Sequence, residues 1–105
     1  MMNNKFYQFL GLTKKSRNLI EGYNKCEEAI KREKIYLIIL SKECAENTKK
    51  KFKKISEEKS VQLIEDIPKN ELGKPLGREE INVLCVKDDN MSKRLIELWN
   101  NHKSI

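Results

Sequence analysis

Six consecutive apolar residues, IYLIIL at positions 35–40, constrain the fold of this chain more than any other feature. Successive side chains of a strand point to opposite faces, so an unbroken apolar run needs cover on both sides. The run is far too short to span a bilayer, which takes about 20 residues as a helix. It predicts a strand over 35–40, inside a sheet with helices on both faces.

The rest of the chain alternates accordingly. INVLCV at 81–86 reads as a second clear strand, VQLI at 61–64 as a modest one, and NLIE at 18–21 as a very short one. Phe6, Phe9 and Leu10 share one face of a first helix, which is expected to run on through Lys14, Lys15 and Arg17. Gly22 closes what precedes it. Asn24, with Glu27 three residues later, fits a capping box opening a helix over 24–33, whose Cys26, Ala29 and Ile30 fall on one face. A third helix is expected over 44–59, anchored by Phe52 and Ile55. Pro68 suits the first position of a short helix, KNEL, stopped by Gly73. Pro75 disfavours helical geometry at Lys74, which makes KPLG a turn. Asp88, Asp89 and Asn90 offer caps for a last helix carrying Met91, Leu95 and Leu98 on one face. No linker composition and no internal repeat interrupts the pattern, so residues 1–105 form a single α/β domain.

Several kinds of chemistry find no support. His102, near the end of the chain, is the one histidine, and a terminal segment holds a catalytic base poorly. The three cysteines, at 26, 44 and 85, lack metal-ligand spacing and read as small buried hydrophobes in a reducing compartment. The four glycines form no phosphate-cradling motif. Glu27 with Glu28, and Glu57 with Glu58, are adjacent on helices and diverge. No cofactor and no metal are implied, and the chain is not expected to be an enzyme. The opening MMNNKFYQFLGL lacks the pattern of a secretory signal, so a cytoplasmic location and no membrane partner are expected.

Charge points elsewhere. Lys and Arg number 22 against 16 Asp and Glu, a formal net charge of +6. That surplus suits a polyanion, nucleic acid or an anionic surface, although a 36% charged chain is also simply a soluble one. Lys49, Lys50, Lys51, Lys53 and Lys54 make the densest run, read as a solvated helix face that adds general affinity for RNA. A second set converges. Lys14, Lys15 and Arg17 end the first helix, Gly22, Tyr23, Asn24 and Lys25 open the second, and only a short strand separates them. The second helix adds a positive dipole end, Tyr23 an aromatic face, and Asn24 a group able to donate and accept along a base edge. Capping alone also accounts for Asn24.

FLGLTKKSRNLIEGYNKCEEAIKREKIYLIILSKE, followed by NELGKPLG and a closing apolar strand, resembles the kink-turn-binding ribosomal proteins of the L-seven-Ae type. Leu10-Gly11-Leu12, Arg17, Gly22 and Asn47-Thr48 resemble its bacterial YlxQ-type branch most closely. The resemblance covers about residues 6–98. It implies a three-layer α/β/α sandwich around a mixed four-stranded sheet, and binding of a sharply bent RNA by the tip of the second helix. That tip carries a Gly-x-Asn-Glu motif in the family. Gly22 and Asn24 match it, and Asn24 would contact a guanine. Lys25 stands where the family has Glu, and Glu28 where it has Lys, a swap that keeps a Lys25–Glu28 pair of reversed sign. An ammonium offers three donors and no acceptor, so Lys25 meets a guanine carbonyl or a phosphate instead of a guanine amino group. Arg78, in the loop before the last strand, would stack on a base or pair with phosphate, and Lys42 would line the same edge as Asn24. The implied partner is a structured RNA, ribosomal or otherwise non-coding, with ribosomal or translation-factor proteins in attendance. The alternative is a protein-interaction module of the translation machinery with general RNA affinity only.

Overall fold

The computed structural model describes residues 4–103, with side chains described through Asn101. Helix α1 spans Asn4–Lys15, strand β1 Leu19–Glu21, α2 Tyr23–Arg32, β2 Leu37–Ser41, α3 Glu46–Lys59 and β3 Gln62–Ile67. Helix α4, Lys69–Gly73, runs into a 3-10 turn at Lys74–Leu76, and β4 (Val83–Val86) and α5 (Asp89–Lys103) complete the domain. The strands form one sheet in the order β1-β4-β2-β3. Strands β2 and β3 pair in parallel, while β4 is antiparallel to both β1 and β2, so the sheet is mixed.

The apolar run behaves as its composition demands. Leu37 and Ile39 face a core built with Phe6, Leu10 and Leu95, while Ile38 and Leu40 face a second core with Cys26, Ile30 and Phe52. Strand β4 splits the same way, Leu84 and Val86 against Val83 and Cys85. Helices α1, α4 and α5 thus cover one face and α2 and α3 the other, the three-layer sandwich. The three cysteines are buried and free. Burial raises the Cys44 thiol, and for Cys85 a hydrogen bond with Cys26 raises it further than burial does.

Several element ends differ from expectation, each for a local reason. Helix α1 stops at Lys15 rather than running through Arg17. Arg17 is left-handed (φ 67), and the amides of Arg17 and Asn18 bond back to Lys14 O and Thr13 O at 3.0 and 3.1 Å. That is the hydrogen-bond pattern of a Schellman cap, with arginine where glycine is usual. Helix α2 starts one residue early, at Tyr23, because Gly22 (φ 102, ψ 154) supplies the turn into it. Asn24 is therefore inside the first turn and caps nothing, and the capping box with Glu27 does not form. Strand β3 is longer than VQLI and absorbs a register shift opposite Ile39 and Ser41, where Asp66 takes φ 71. Strands β2 and β4 begin two residues later than the apolar runs, and α3 begins at Glu46 rather than Cys44.

Gly73 does not stop α4. It keeps helical angles (φ −75, ψ −34), and Lys74 stays helical before Pro75; Gly77 (φ 75) ends the segment instead. Asp88 alone fills the expected cap of α5, its Oδ2 accepting the Met91 amide at 2.8 Å. The backbone of α5 continues past His102, whose side chain lies outside the described residues.

One contact in the α1–α4 core carries a pH signature. Tyr7 donates its hydroxyl to Glu71 Oε1 at 3.0 Å. Burial first, then the Glu71 carboxylate, push the phenol well above its ordinary value. The folded chain thus holds this proton more tightly than the unfolded chain. The contribution is complete below about pH 10, the ordinary phenol value, and is lost as pH rises beyond it. Tyr7→Phe is expected to flatten the fall in stability above about pH 10, measured by urea unfolding of both proteins through the alkaline range.

Candidate nucleic-acid interface

Helices α2 and α3 both begin at one end of the sheet. Gly22, the residue capping α2, has no side chain to offer, and Ala45 stands at the same position for α3 without a side-chain hydrogen bond. The first-turn amides of both helices lack side-chain caps, and the positive ends of two dipoles meet there. Gly22 and Tyr23, with Cys44, Thr48, Arg78 and Asn82, line a recess of about 330 Å³ between them.

The scaffold behind the recess is tied by backbone bonds. The Gly22 amide reaches Val83 O and the Ser41 amide reaches Asn82 O, both at 2.9 Å. Ser41, fully buried, donates its hydroxyl to Asn82 Oδ1 at 2.6 Å, which orients that amide side chain. The Arg78 amide bonds to Gly73 O at 3.1 Å and the Ile81 amide to Lys69 O at 3.2 Å, pinning the loop before β4 onto α4.

Charge is arranged around one carboxylate. Glu21 Oε1 accepts from Arg78 Nε at 2.7 Å and lies 3.4 Å from Lys14 Nζ. Lys14 also donates to Leu76 O at 2.7 Å. Glu21 thereby brings together two cations that lie 64 positions apart in the chain. On the α3 side, Lys51 donates to Tyr23 Oη at 2.9 Å and forms an ion pair with Glu27. The hydrogen bond with Lys51 holds the Glu27 carboxyl below its usual range and in return raises the Lys51 ammonium. Tyr23 stands edge-on to Phe52, ring centres 5.5 Å apart at 89°, and keeps 37% of its surface exposed. Its ring is held in place by Phe52 and by Lys51, whose Nζ lies over it 5.0 Å from the ring centre.

The expected residues divide. Gly22, Tyr23 and Arg78 share the recess, and Lys14 joins them through Glu21. Asn24 and Lys25, both exposed, flank it on the β1 side of α2, in a shallow hollow with Ile20 and Arg32. Glu28 pairs with Arg32 at 2.6 Å, in place of the expected Lys25–Glu28 pair. Lys42 follows β2 at the same end of the sheet, its amide held by Ile67 O at 2.7 Å, but it does not line the recess. Lys15 lies with Leu12, Pro75 and Leu76 in a groove between α1 and the 3-10 turn.

Arg17 is a correction. Its neighbour Asn18 accepts from the Lys87 amide at 3.0 Å beyond the far end of β4. The length of β1 separates it from Gly22, about 10 Å for three residues. The clusters before and after β1 therefore do not all flank one edge. Sequence reading missed Glu21, Thr48 and Asn82. Two signals were available: Asn82 is the polar residue inside the apolar run INVLCV, and Thr48 belongs to the Asn47-Thr48 stretch that carries the family resemblance.

Among the described residues, no group of His, Cys, Asp and Glu could hold a metal ion, and no helix is long and apolar enough to cross a membrane.

Residues 4–96 match the model of the ribosomal protein L7Ae/L30e/S12e/Gadd45 family. Two solved structures resemble the chain over most of its length. A Bacillus halodurans protein with unknown function is 29% identical, covering 90% of this chain and 95% of its own, with a TM-score of 0.84. The Giardia lamblia 15.5kD RNA binding protein is 17% identical, covering 93% and 84%, with a TM-score of 0.72. No curated protein matches the sequence.

Proposed function

Because the chain belongs to the ribosomal protein L7Ae/L30e/S12e/Gadd45 family, we propose that it is an RNA-binding protein of the cytoplasm that grips a structured RNA at the pole where α2 and α3 begin. Its family makes it a binding protein rather than an enzyme. The observation that carries the reading is the meeting of two uncapped helix N-termini with Arg78 around one recess. Exposed amides, dipole ends and a guanidinium favour phosphate in one small volume, and Tyr23 offers a stacking surface beside them. The likeness in fold to the Giardia RNA binding protein agrees with this assignment.

In this reading Gly22 lets the backbone approach the RNA, Asn24 meets a base edge, and Lys25 contacts a guanine carbonyl or phosphate. Lys14 and Arg78 exchange their shared carboxylate partner for phosphate as RNA docks. Lys42 and Lys15 add charge at the margins, and Arg17 contributes only long-range attraction. A kink turn is the proposed target, because its opened groove suits a protruding helix tip.

Asn24→Ala tests the site. Asn24 is exposed and caps nothing, so stability should stay within about 0.5 kcal/mol of the parent. Loss of one base contact should weaken binding of the preferred RNA by about 1–3 kcal/mol and leave duplex binding nearly unchanged. Equal losses for both RNAs would remove Asn24 from base reading.

A further inference from the structure

The pole opposite the recess holds a larger cavity, of about 850 Å³, where α2 ends, β2 and β3 begin and α5 starts. From its composition we propose that it is a nucleotide-binding site, distinct from the RNA-gripping pole. The two lie at opposite ends of α2, about 15 Å apart for a ten-residue helix.

Three features define the ligand. The first is an apolar wall with an aromatic ring in it. Half-buried Tyr36 supplies an aromatic face, and Ile35, Val61 and Ile96 supply apolar walls. The second is the charge balance. Each of the three carboxylates at the rim already has a cation: Glu33 with Lys87 at 3.8 Å, Asp89 with Lys93 at 3.5 Å, and Glu97 with Arg94. Lys34 and Lys59 have no carboxylate partner among the described residues. Lys34 Nζ lies over one face of the Tyr36 ring, 5.3 Å from its centre, so the cation and the stacking surface are adjoining parts of one site. The surplus charge therefore suits an anion attached to an aromatic ring.

The third feature is Ser92, which lines the cavity from the first turn of α5. The residue is 2% exposed, and its Oγ is buried without a hydrogen-bond partner. An unmet buried hydroxyl is costly, and it becomes useful when a ligand supplies its partner. A base edge offers both donors and acceptors, which a hydroxyl can match in either sense. Stacking on Tyr36, a phosphate between Lys34 and Lys59, and a base edge at Ser92 together describe a nucleotide. It could arrive free or as an unpaired residue of a longer RNA.

The test is an NMR titration of the full chain with AMP, GMP, CMP and UMP, and separately with a short single-stranded RNA. Amide shifts at Lys34, Tyr36, Val61 and Ser92 are expected. Shifts with a mononucleotide identify the free ligand as a source, and shifts with the oligonucleotide alone identify an RNA-borne nucleotide. Tyr36→Ala should weaken binding about tenfold through lost stacking. The double exchange of Lys34→Gln and Lys59→Gln leaves the core untouched and should weaken it comparably. Ser92→Ala should weaken binding severalfold without lowering thermal stability. No shifts at this pole with any probe at millimolar concentration would overturn the proposal. So would shifts confined to Gly22–Lys25 and Gly77–Asn82, which would report on the RNA-gripping pole alone.

Discussion

Ile38→Ala is expected to lower stability by about 2–5 kcal/mol, the cost of emptying a large buried aliphatic site. Ile38 is fully buried on the central strand β2. It pairs in register with Leu63 of β3 and Cys85 of β4, and its side chain belongs to the core beneath α2 and α3. Neighbours held by a ladder on each side can collapse only partly into the space, so much of the cavity persists. A small domain has only about 5–15 kcal/mol in total, so this change should shift the urea midpoint strongly. A loss below about 1 kcal/mol would mean that the helices on that face repack freely.

Gly73→Ala should cost about 1–3 kcal/mol, the scale of a forced overpacking, and should weaken RNA binding as well. The backbone angles at Gly73 suit alanine, so the penalty is steric. An added methyl would stand 2.8 Å from Glu80 Cα and 2.9 Å from its carbonyl carbon and nitrogen. Backbone cannot yield as a side-chain tip can, so the loop over 77–82 must move away from α4. Arg78 and Asn82 ride on that loop, and both line the recess. Urea unfolding and RNA affinity measured on one preparation should change together. A destabilised variant with unchanged RNA affinity would separate the loop from binding.

The layering was legible because it depends on local composition. Unbroken apolar runs at 35–40 and 81–86 required cover on both faces, and the amphipathic segments between them supplied it. The start of α2 was not legible in the same way. Asn24 and Glu27 match a capping box by spacing, yet Gly22 turns the chain one residue sooner. Glu27 is claimed by Lys51, 24 residues away on α3. Local spacing lost to a tertiary partner.

The candidate site divides on the same principle. Gly22, Tyr23, Asn24 and Lys25 are contiguous, so their grouping at one helix tip needed no tertiary information. The role of Glu21 as common partner of Lys14 and Arg78 could not be read without the fold. Arg17 was misplaced because three residues of strand carry the chain from one pole of the sheet to the other. Even a very short strand separates its two ends by about 10 Å.

Lys25 sharpens the question of selectivity. An ammonium beside Asn24 can donate to phosphate but offers no acceptor for a guanine amino group, unlike the Glu that the resemblance puts at this position. The central claim is that the pole formed by α2, α3 and the Arg78 loop recognises a bent RNA beyond simple charge attraction. The most direct measurement compares affinity for a kink-turn RNA with affinity for a plain duplex of equal length across a salt series. Both affinities should fall with salt as counterions are released, and the kink turn should remain the tighter ligand at every concentration. Equal affinities throughout would contradict the claim and leave only the attraction of a cationic surface.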